Sequence, residues 1–505
     1  MKKGLIAAAI VLLLALLACF FILRSGKPGA YLAVIPDNPV ALLKFNAGNI
    51  LEESEILRNP VLKPLLATSS EGTSGAADDL LKKIIENPEE SGLDLKEPVV
   101  LALLDTDTLK ALITVAVTDK EKLENAVMYF SGGSLDIVDN GEVCFIETGE
   151  NGISVAYDNE KLLFAISDTN ADVLEYFGYD GKKAVDNENL IPFFCSGDDV
   201  ALYICGSRVH EFLVNADYFR YNTRHLDDIE VLKNANAIVS LNFENGFAEL
   251  ALDLDVPQDF VDMYAKYIRP SSKEHLEYVP ADAFLAVDMG LDFALTDESS
   301  EDESAENGTS FSRFDISLLK NICGDVTFAM LQPQQYGRNK VPQMMAVIDC
   351  TGPEAFNSVV NLAGMFMTVE SVEEDVYDLN IIKRGYDYYM AYKEQRLFVL
   401  PENIYRALNE TGMLKPFEDN LLGNKNVSAM GNGAYVGVDE FYKAFAHDRG
   451  IKQYGPVLSA LEYVRFEMES PARLTLRVAA KDKETNFLKQ AVDKAIELYL
   501  TISLK

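Results

Sequence analysis

A proline that follows one apolar stretch, opens a short polar turn and leads into a second apolar run occurs at Pro36 and again, 244 positions on, at Pro280. The first setting reads Tyr31-Leu-Ala-Val-Ile-Pro36-Asp-Asn-Pro-Val-Ala-Leu-Leu-Lys-Phe45, and the second Leu276-Glu-Tyr-Val-Pro280-Ala-Asp-Ala-Phe-Leu-Ala-Val-Asp-Met289. Four further pairs keep the same order: 98–104 with 325–331, 115–127 with 346–360, Ala156-Tyr157 before Leu162 with Ala391-Tyr392 before Leu397, and 237–243 plus 250–254 with 463–468 plus 474–478. Any one apolar strand resembles another by chance. Five pairs in one order point to a unit used twice, and repetition of that kind decides the fold before any single element is assigned. The body is therefore expected to be two tandem α+β copies, 31–257 and 276–500, joined near Pro270, Ser271 and Ser272.

Within a copy the hydrophobic period changes along the chain. Residues 101–104 and 112–117 are short apolar runs bounded by polar turns, the mark of strands. Across 120–130, Leu123, Ala126, Val127 and Phe130 follow the spacing of an amphipathic helix. Residues 141–167 read as a β-meander of runs 143–147, 153–157 and 162–166. Helical spacing returns at Val173, Leu174 and Phe177, and 484–500 closes the chain with an apolar stripe from Phe487 to Tyr499. Meandering strands broken by single helices predict antiparallel sheets with helices packed on one face, an α+β architecture. The stretches 68–79 and 296–312 are low in complexity and read as insertions.

Ahead of the body, Met1-Lys2-Lys3 is followed by an uninterrupted apolar run, residues 4–23, which Arg24 ends. At about 1.5 Å per helical residue the run spans about 30 Å, the hydrocarbon thickness of a bilayer. A secretory signal usually carries a shorter apolar core of about 7–15 residues. Residues 1–30 thus read as a hydrophobic anchor helix with its lysines in the cytoplasm and the body exported. Leu16-Leu17-Ala18-Cys19 offers an alternative, because it approaches the lipobox in which the cysteine is acylated and becomes the mature N-terminus. Leu17 and the apolar Phe20-Phe21-Ile22-Leu23 depart from that pattern. Both readings make a membrane the first partner and put the body in the cell envelope, periplasmic or at the surface.

With 45 Lys or Arg against 79 Asp or Glu, the net charge of −34 repels phosphate backbones and excludes a nucleic-acid partner. Cys144, Cys195, Cys205, Cys323 and Cys350 are odd in number, lack CxxC spacing and lie in or beside apolar runs. They are expected as small buried residues, neither a disulfide framework nor zinc ligands. His210, His225, His275 and His447 form no His-Glu-x-x-His pair and are expected as partly exposed structural or surface residues. No Gly-x-Ser-x-Gly elbow and no P-loop occurs, so no catalytic, cofactor-binding or metal-binding residue is assigned. The acidic run 297–306 offers hard oxygen ligands but lacks the spacing and glycine of a calcium loop, and a solvated insertion accounts for it. The best recognition candidates are aromatic: Tyr386, Tyr388, Tyr389 and Tyr392 on a predicted hairpin, and the group Tyr218, Phe219 and Tyr221. Exposed, they would stack on glycans or peptides. Positions 386, 388 and 392 share one strand face, so burial against a helix explains them equally well.

The opening at Pro36 and Pro280, followed by a twice-used strand–helix–meander unit behind an N-terminal anchor, resembles a family of uncharacterised envelope proteins of Bacteroidales-type bacteria, known as a domain of unknown function. The resemblance implies an exported, membrane-attached protein and brings no catalytic residues with it. The function expected is a non-catalytic binding or scaffolding module with an envelope protein or glycan partner. One alternative is an envelope hydrolase acting on peptide or glycan through two close carboxylates. Another is a carrier holding an apolar ligand between sheet and helices.

Overall fold

The computed structural model describes residues 29–59, 61, 84, 87–106, 109–130, 137–139, 141, 143–146, 152–167, 173–215, 232–292, 322–336, 339–364, 368–380, 387–410 and 414–503. The leader with Cys19, both insertions, His225, Tyr218, Phe219, Tyr221 and Tyr386 lie outside the described residues. The chain divides into two compact units, Met1–Pro257 with Asp482–Lys505, and Gln258–Lys481. The last helix, expected in the second body, therefore groups with the first unit. Polar bonds fix it there: the Asn486 amide donates to Phe243 O (2.8 Å), Gly246 N–H donates to Thr485 O (3.0 Å), and Lys489 pairs with Glu55 at 2.6 Å. The helix Phe487–Ser503 packs on the helix Ala47–Ser54.

The first unit has strands β1 (Ala41–Phe45), β2 (Val99–Asp105), β3 (Lys110–Ala116), β4 (Ile137–Asp139), β5 (Cys144–Ile146), β6 (Ile153–Tyr157), β7 (Lys161–Ser167), β8 (Val200–Cys205), β9 (Asn236–Glu244) and β10 (Phe247–Asp255). They pair antiparallel in the order β4-β5-β6-β7-β3-β2-β1-β8-β9-β10. Alternation along the strands separates two cores. Val100, Ala102, Leu112 and Leu163 enter one, which Tyr31, Leu32, Ile35, Phe193 and Phe194 close. Val99, Ile113, Val115 and Phe164 enter the other, under Leu123 and Val127 of the helix Lys120–Phe130. Cover thus lies on both faces of this sheet, not on one as expected. The continuous apolar run at 112–117 carried that signal, since a strand buried on both sides loses its alternation.

The second unit has β11 (Ile268–Arg269), β12 (Leu285–Asp292), β13 (Ile322–Tyr336), β14 (Asn339–Cys350), β15 (Thr368–Glu373), β16 (Val376–Asn380), β17 (Asp387–Lys393), β18 (Arg396–Pro401), β19 (Asn432–Gly437), β20 (Leu461–Ser470) and β21 (Arg473–Ala480). The sheet runs β15-β16-β17-β18-β14-β13-β12-β19-β20-β21, all antiparallel, with β11 beside the end of β12. Strand for strand, this is the order of the first unit with every number raised by eleven. The helix Pro353–Gly364 lowers Phe356 among Cys350, Leu379, Met390 and Leu397 on one face. On the other, Ala286, Ala329, Val347, Phe398 and Leu400 are buried. The stretch around Pro270, Ser271 and Ser272, expected as a join, lies inside this unit and leads into a short helical turn, Glu274–Tyr278, whose Leu276 is fully buried.

Candidate functional site

Directly opposed residues of an antiparallel pair project from the same side of the sheet, so the register shows which side chains share a face. In the first unit three rows cross β1, β8, β9 and β10: Ala41–Ile204–Ala237–Leu254, Leu43–Leu202–Val239–Leu252 and Phe45–Val200–Leu241–Leu250. Every member is apolar and none is buried, whereas Leu42, Ala201 and Tyr203 on the reverse side are. The second unit carries two longer rows on the corresponding strands and β13 and β14. These are Met344–Met330–Leu285–Val436–Val464–Val478 and Ala346–Phe328–Val287–Ala434–Phe466–Leu476. Again none is buried, and Met344 and Phe466 are 48% and 39% exposed. Folded domains rarely leave so contiguous an apolar surface partly accessible. Methionines such as Met330 and Met344 suit an adaptable contact.

The reverse faces hold buried charge. Lys44 shares the parity of Leu42 on β1 and is 1% exposed; its Nζ donates to Phe193 O (2.7 Å), Ser196 O (2.8 Å) and Ser196 Oγ (2.5 Å). Burial lowers its pKa from 10.5 to about 8, against the pull of Asp198 and Cys195. Nearby, the helix Ala47–Ser54 brings Glu53 toward Asp199; burial and then the Asp199 charge push the Glu53 carboxyl up to about 8. Asp199 accepts from Asn49 Nδ2 (3.0 Å) and from the Phe243 N–H (2.8 Å).

In the second unit Asp288, 244 positions after Lys44, takes the corresponding place on β12. It is fully buried and accepts from Ser271 Oγ and Thr327 Oγ1, each at 2.5 Å. Burial pushes its carboxyl up despite those two bonds. Ser272 donates to Asp325 Oδ2 through its hydroxyl and its N–H, and Arg269 donates to Asp325 Oδ1 at 3.2 Å. His275 Nε2 lies 2.8 Å from Asp349 Oδ1, which also accepts from Arg396 Nε at 3.1 Å, while Asp325 N–H donates to Asp349 Oδ2 at 2.9 Å. Burial opposes ionisation of Asp349, but His275, the Asp325 N–H and Arg396 together hold its carboxyl below the usual range. Residues 271–275 therefore grip one aspartate on each of β12, β13 and β14. Asp288 and Asp325, 0% and 1% exposed, are desolvated carboxylates of the kind a hydrolase needs, yet all their oxygens bind the protein's own donors.

His275, expected as partly exposed, is fully buried, because Asp349 supplies the partner that makes burial tolerable. Cys144, Cys205 and Cys350 are buried as expected, but Cys195 is exposed. It closes the short helix Ile191–Cys195, which turns Phe193 and Phe194 inward. Of the aromatic candidates, Tyr388 and Tyr392 pack against the Phe356 core, with Tyr392 stacked on Phe356 at 5.6 Å. Tyr389 lies flat on Tyr405 at 4.5 Å. Among the described residues one group gathers three metal-type ligands, Glu124, Asp139 and Cys144. Nothing in the sequence reading singled out Lys44, Asp288 or the exposed rows. The signal for the first two was a charged residue two places from an apolar one inside a strand.

No curated protein matches this chain. Among solved structures it is similar to crystal form IV of TP0453 at 13% identity, with 45% of this chain and 81% of that one covered and a TM-score of 0.27. Crystal form I of the same protein gives 12% identity, coverage of 45% and 80%, and a TM-score of 0.25. Likeness at that level carries no argument. The family described as "Domain of unknown function (DUF4836)" matches residues 31–407, and this chain belongs to it.

Proposed function

We propose that the chain is a non-catalytic protein of the cell envelope, tethered by its leader, whose body is two tandem copies of one α+β unit serving as a binding or scaffolding module. The observation that carries this reading is the pair of accessible apolar sheet faces on corresponding strands. Duplication draws support from the repeated strand order and from the offset of 244 that relates both Pro36 to Pro280 and Lys44 to Asp288. The tether and the periplasmic or surface location rest on the apolar run 4–23 and on the resemblance, drawn from the sequence, to envelope proteins of Bacteroidales-type bacteria. No helix among the described residues is long and apolar enough to cross a membrane. The closed network around Asp288 and Asp325 weighs against a hydrolase.

The test is purification of the full chain from its native membrane, beside the variants Leu250→Glu and Phe466→Glu. Both side chains are more than a third exposed, so thermal unfolding should be unchanged. A stoichiometric protein that accompanies the parent chain and is lost from either variant supports the module. Lipid lost in place of protein moves the reading to the carrier. Identical companions in all three preparations remove the apolar faces from the function. Mass spectrometry of the native N-terminus decides between a spanning helix and an acylated Cys19.

A further inference from the structure

Asp139 on β4, Cys144 on β5 and Tyr157 on β6 are directly opposed in register, so their side chains leave the sheet side by side. The helix Lys120–Phe130 packs on that face and adds Glu124, whose Oε1 lies 3.5 Å from Cys144 Sγ. One ligand atom from each of Glu124, Asp139 and Cys144 lies within 4.8 Å of the other two. Around a tetrahedral ion with metal–sulfur near ~2.3 Å and metal–oxygen near ~2.1 Å, such atoms stand about 3.4–3.6 Å apart. A small contraction closes the site.

Clustered acids and a cysteine prove nothing alone, but two neighbours speak for a cation. Tyr157 is fully buried, its Oη has no hydrogen-bond partner, and the acids and thiol it faces are Cys144, Glu124 and Asp139. A buried hydroxyl left unsatisfied is costly, and a bound ion or its water would remove that cost. Lys120 places its ammonium 3.8 Å from Glu124 and 3.7 Å from Asp139, so positive charge is already drawn to the cluster.

We propose that Glu124, Asp139 and Cys144 bind a divalent cation of the zinc type, and that Lys120 competes with it for the same ligands. A thiolate beside two carboxylates favours zinc or cobalt over calcium or magnesium, which avoid sulfur. On binding, the Cys144 S–H bond breaks, a metal–sulfur bond forms and the proton passes to solvent.

The experiment is titration of the full chain with Co²⁺, read by the thiolate-to-cobalt charge-transfer absorption, followed by displacement with Zn²⁺. One saturable equivalent is expected. Cys144→Ser should abolish the band, and Glu124→Gln should weaken binding by about tenfold or more. Lys120→Gln, a change on a partly exposed helix face, should tighten binding by about tenfold because it removes a charge about 4 Å from the ligands. A band that survives Cys144→Ser, no saturable binding in the parent chain, or Lys120→Gln binding no tighter than the parent overturns the assignment.

Discussion

Replacing Lys44 with methionine tests whether the first core holds a charge. The side chain is 1% exposed, and its pKa falls from 10.5 to about 8 because burial disfavours the ammonium. The folded chain thus releases a proton that the unfolded chain still holds between pH 8 and 10.5, so Lys44 makes stability rise with pH across that window. At about 1.4 kcal/mol per pH unit, the whole interval amounts to about 3 kcal/mol. Lys44→Met also strips the donor from Phe193 O, Ser196 O and Ser196 Oγ, a loss of roughly 1–3 kcal/mol that does not vary with pH. Urea unfolding of parent and variant, repeated from below pH 8 to above 10.5, separates the two contributions. The difference in unfolding free energy should widen by about 3 kcal/mol in favour of the parent as pH rises. A difference that stays flat would mean that Lys44 is not buried as an ammonium, and the reasoning fails.

Phe356→Ala removes a ring that is 1% exposed and stacked on Tyr392, and should cost the second unit about 3–5 kcal/mol in urea unfolding. Asp349 has its folded pKa held below the ordinary value, so it contributes stability that is present at neutral pH and lost as pH falls through that lowered value. Asp349→Asn should therefore cost on the order of 2 kcal/mol at neutral pH and flatten the acid limb of a stability–pH curve. Of the five described cysteines, Cys195 should react first with a water-soluble thiol reagent on the native chain, while Cys144, Cys205 and Cys350 should react only on unfolding. Fast native labelling of those three would mean that the cores are not closed.

The strands were legible because period and punctuation coincide: runs such as 153–157 and 162–166 emerged as β6 and β7, and 120–130 as a helix with Leu123, Ala126 and Val127 inward. Partial exposure was not legible. Ala41-Leu42-Leu43 is apolar at every position, and only register shows that Leu42 faces a core while Ala41 and Leu43 do not. Pro270, Ser271 and Ser272 carry the chemistry of a turn. The Ser271 hydroxyl goes instead to Asp288, and the Ser272 hydroxyl and N–H go to Asp325, partners that lie 17 and 53 positions further along. Pairings over such distances leave no local trace. His275 is the same case, since nothing beside it in the sequence announces Asp349.

The buried charges and the apolar faces are two sides of one constraint. A strand with apolar side chains on both faces does not fix its own register through hydrophobicity, because a slip of one residue buries Leu43 and Phe45 about as well as Leu42. What a slipped β1 cannot do is give Lys44 the three acceptors around Phe193 and Ser196, and a slipped β12 cannot bring Asp288 to Ser271 and Thr327. A buried charge in the wrong register has no partner and costs several kcal/mol. Specifying register through one polar residue leaves the outer face of the strand free to be apolar. Removing the charge should then loosen strand registry more than it lowers stability. Asp288→Leu is expected to give additional amide resonances confined to β12 and its neighbours, with cooperative unfolding retained. A single sharp set of resonances in that variant would show that register is fixed elsewhere, and would separate the apolar faces from the charges behind them.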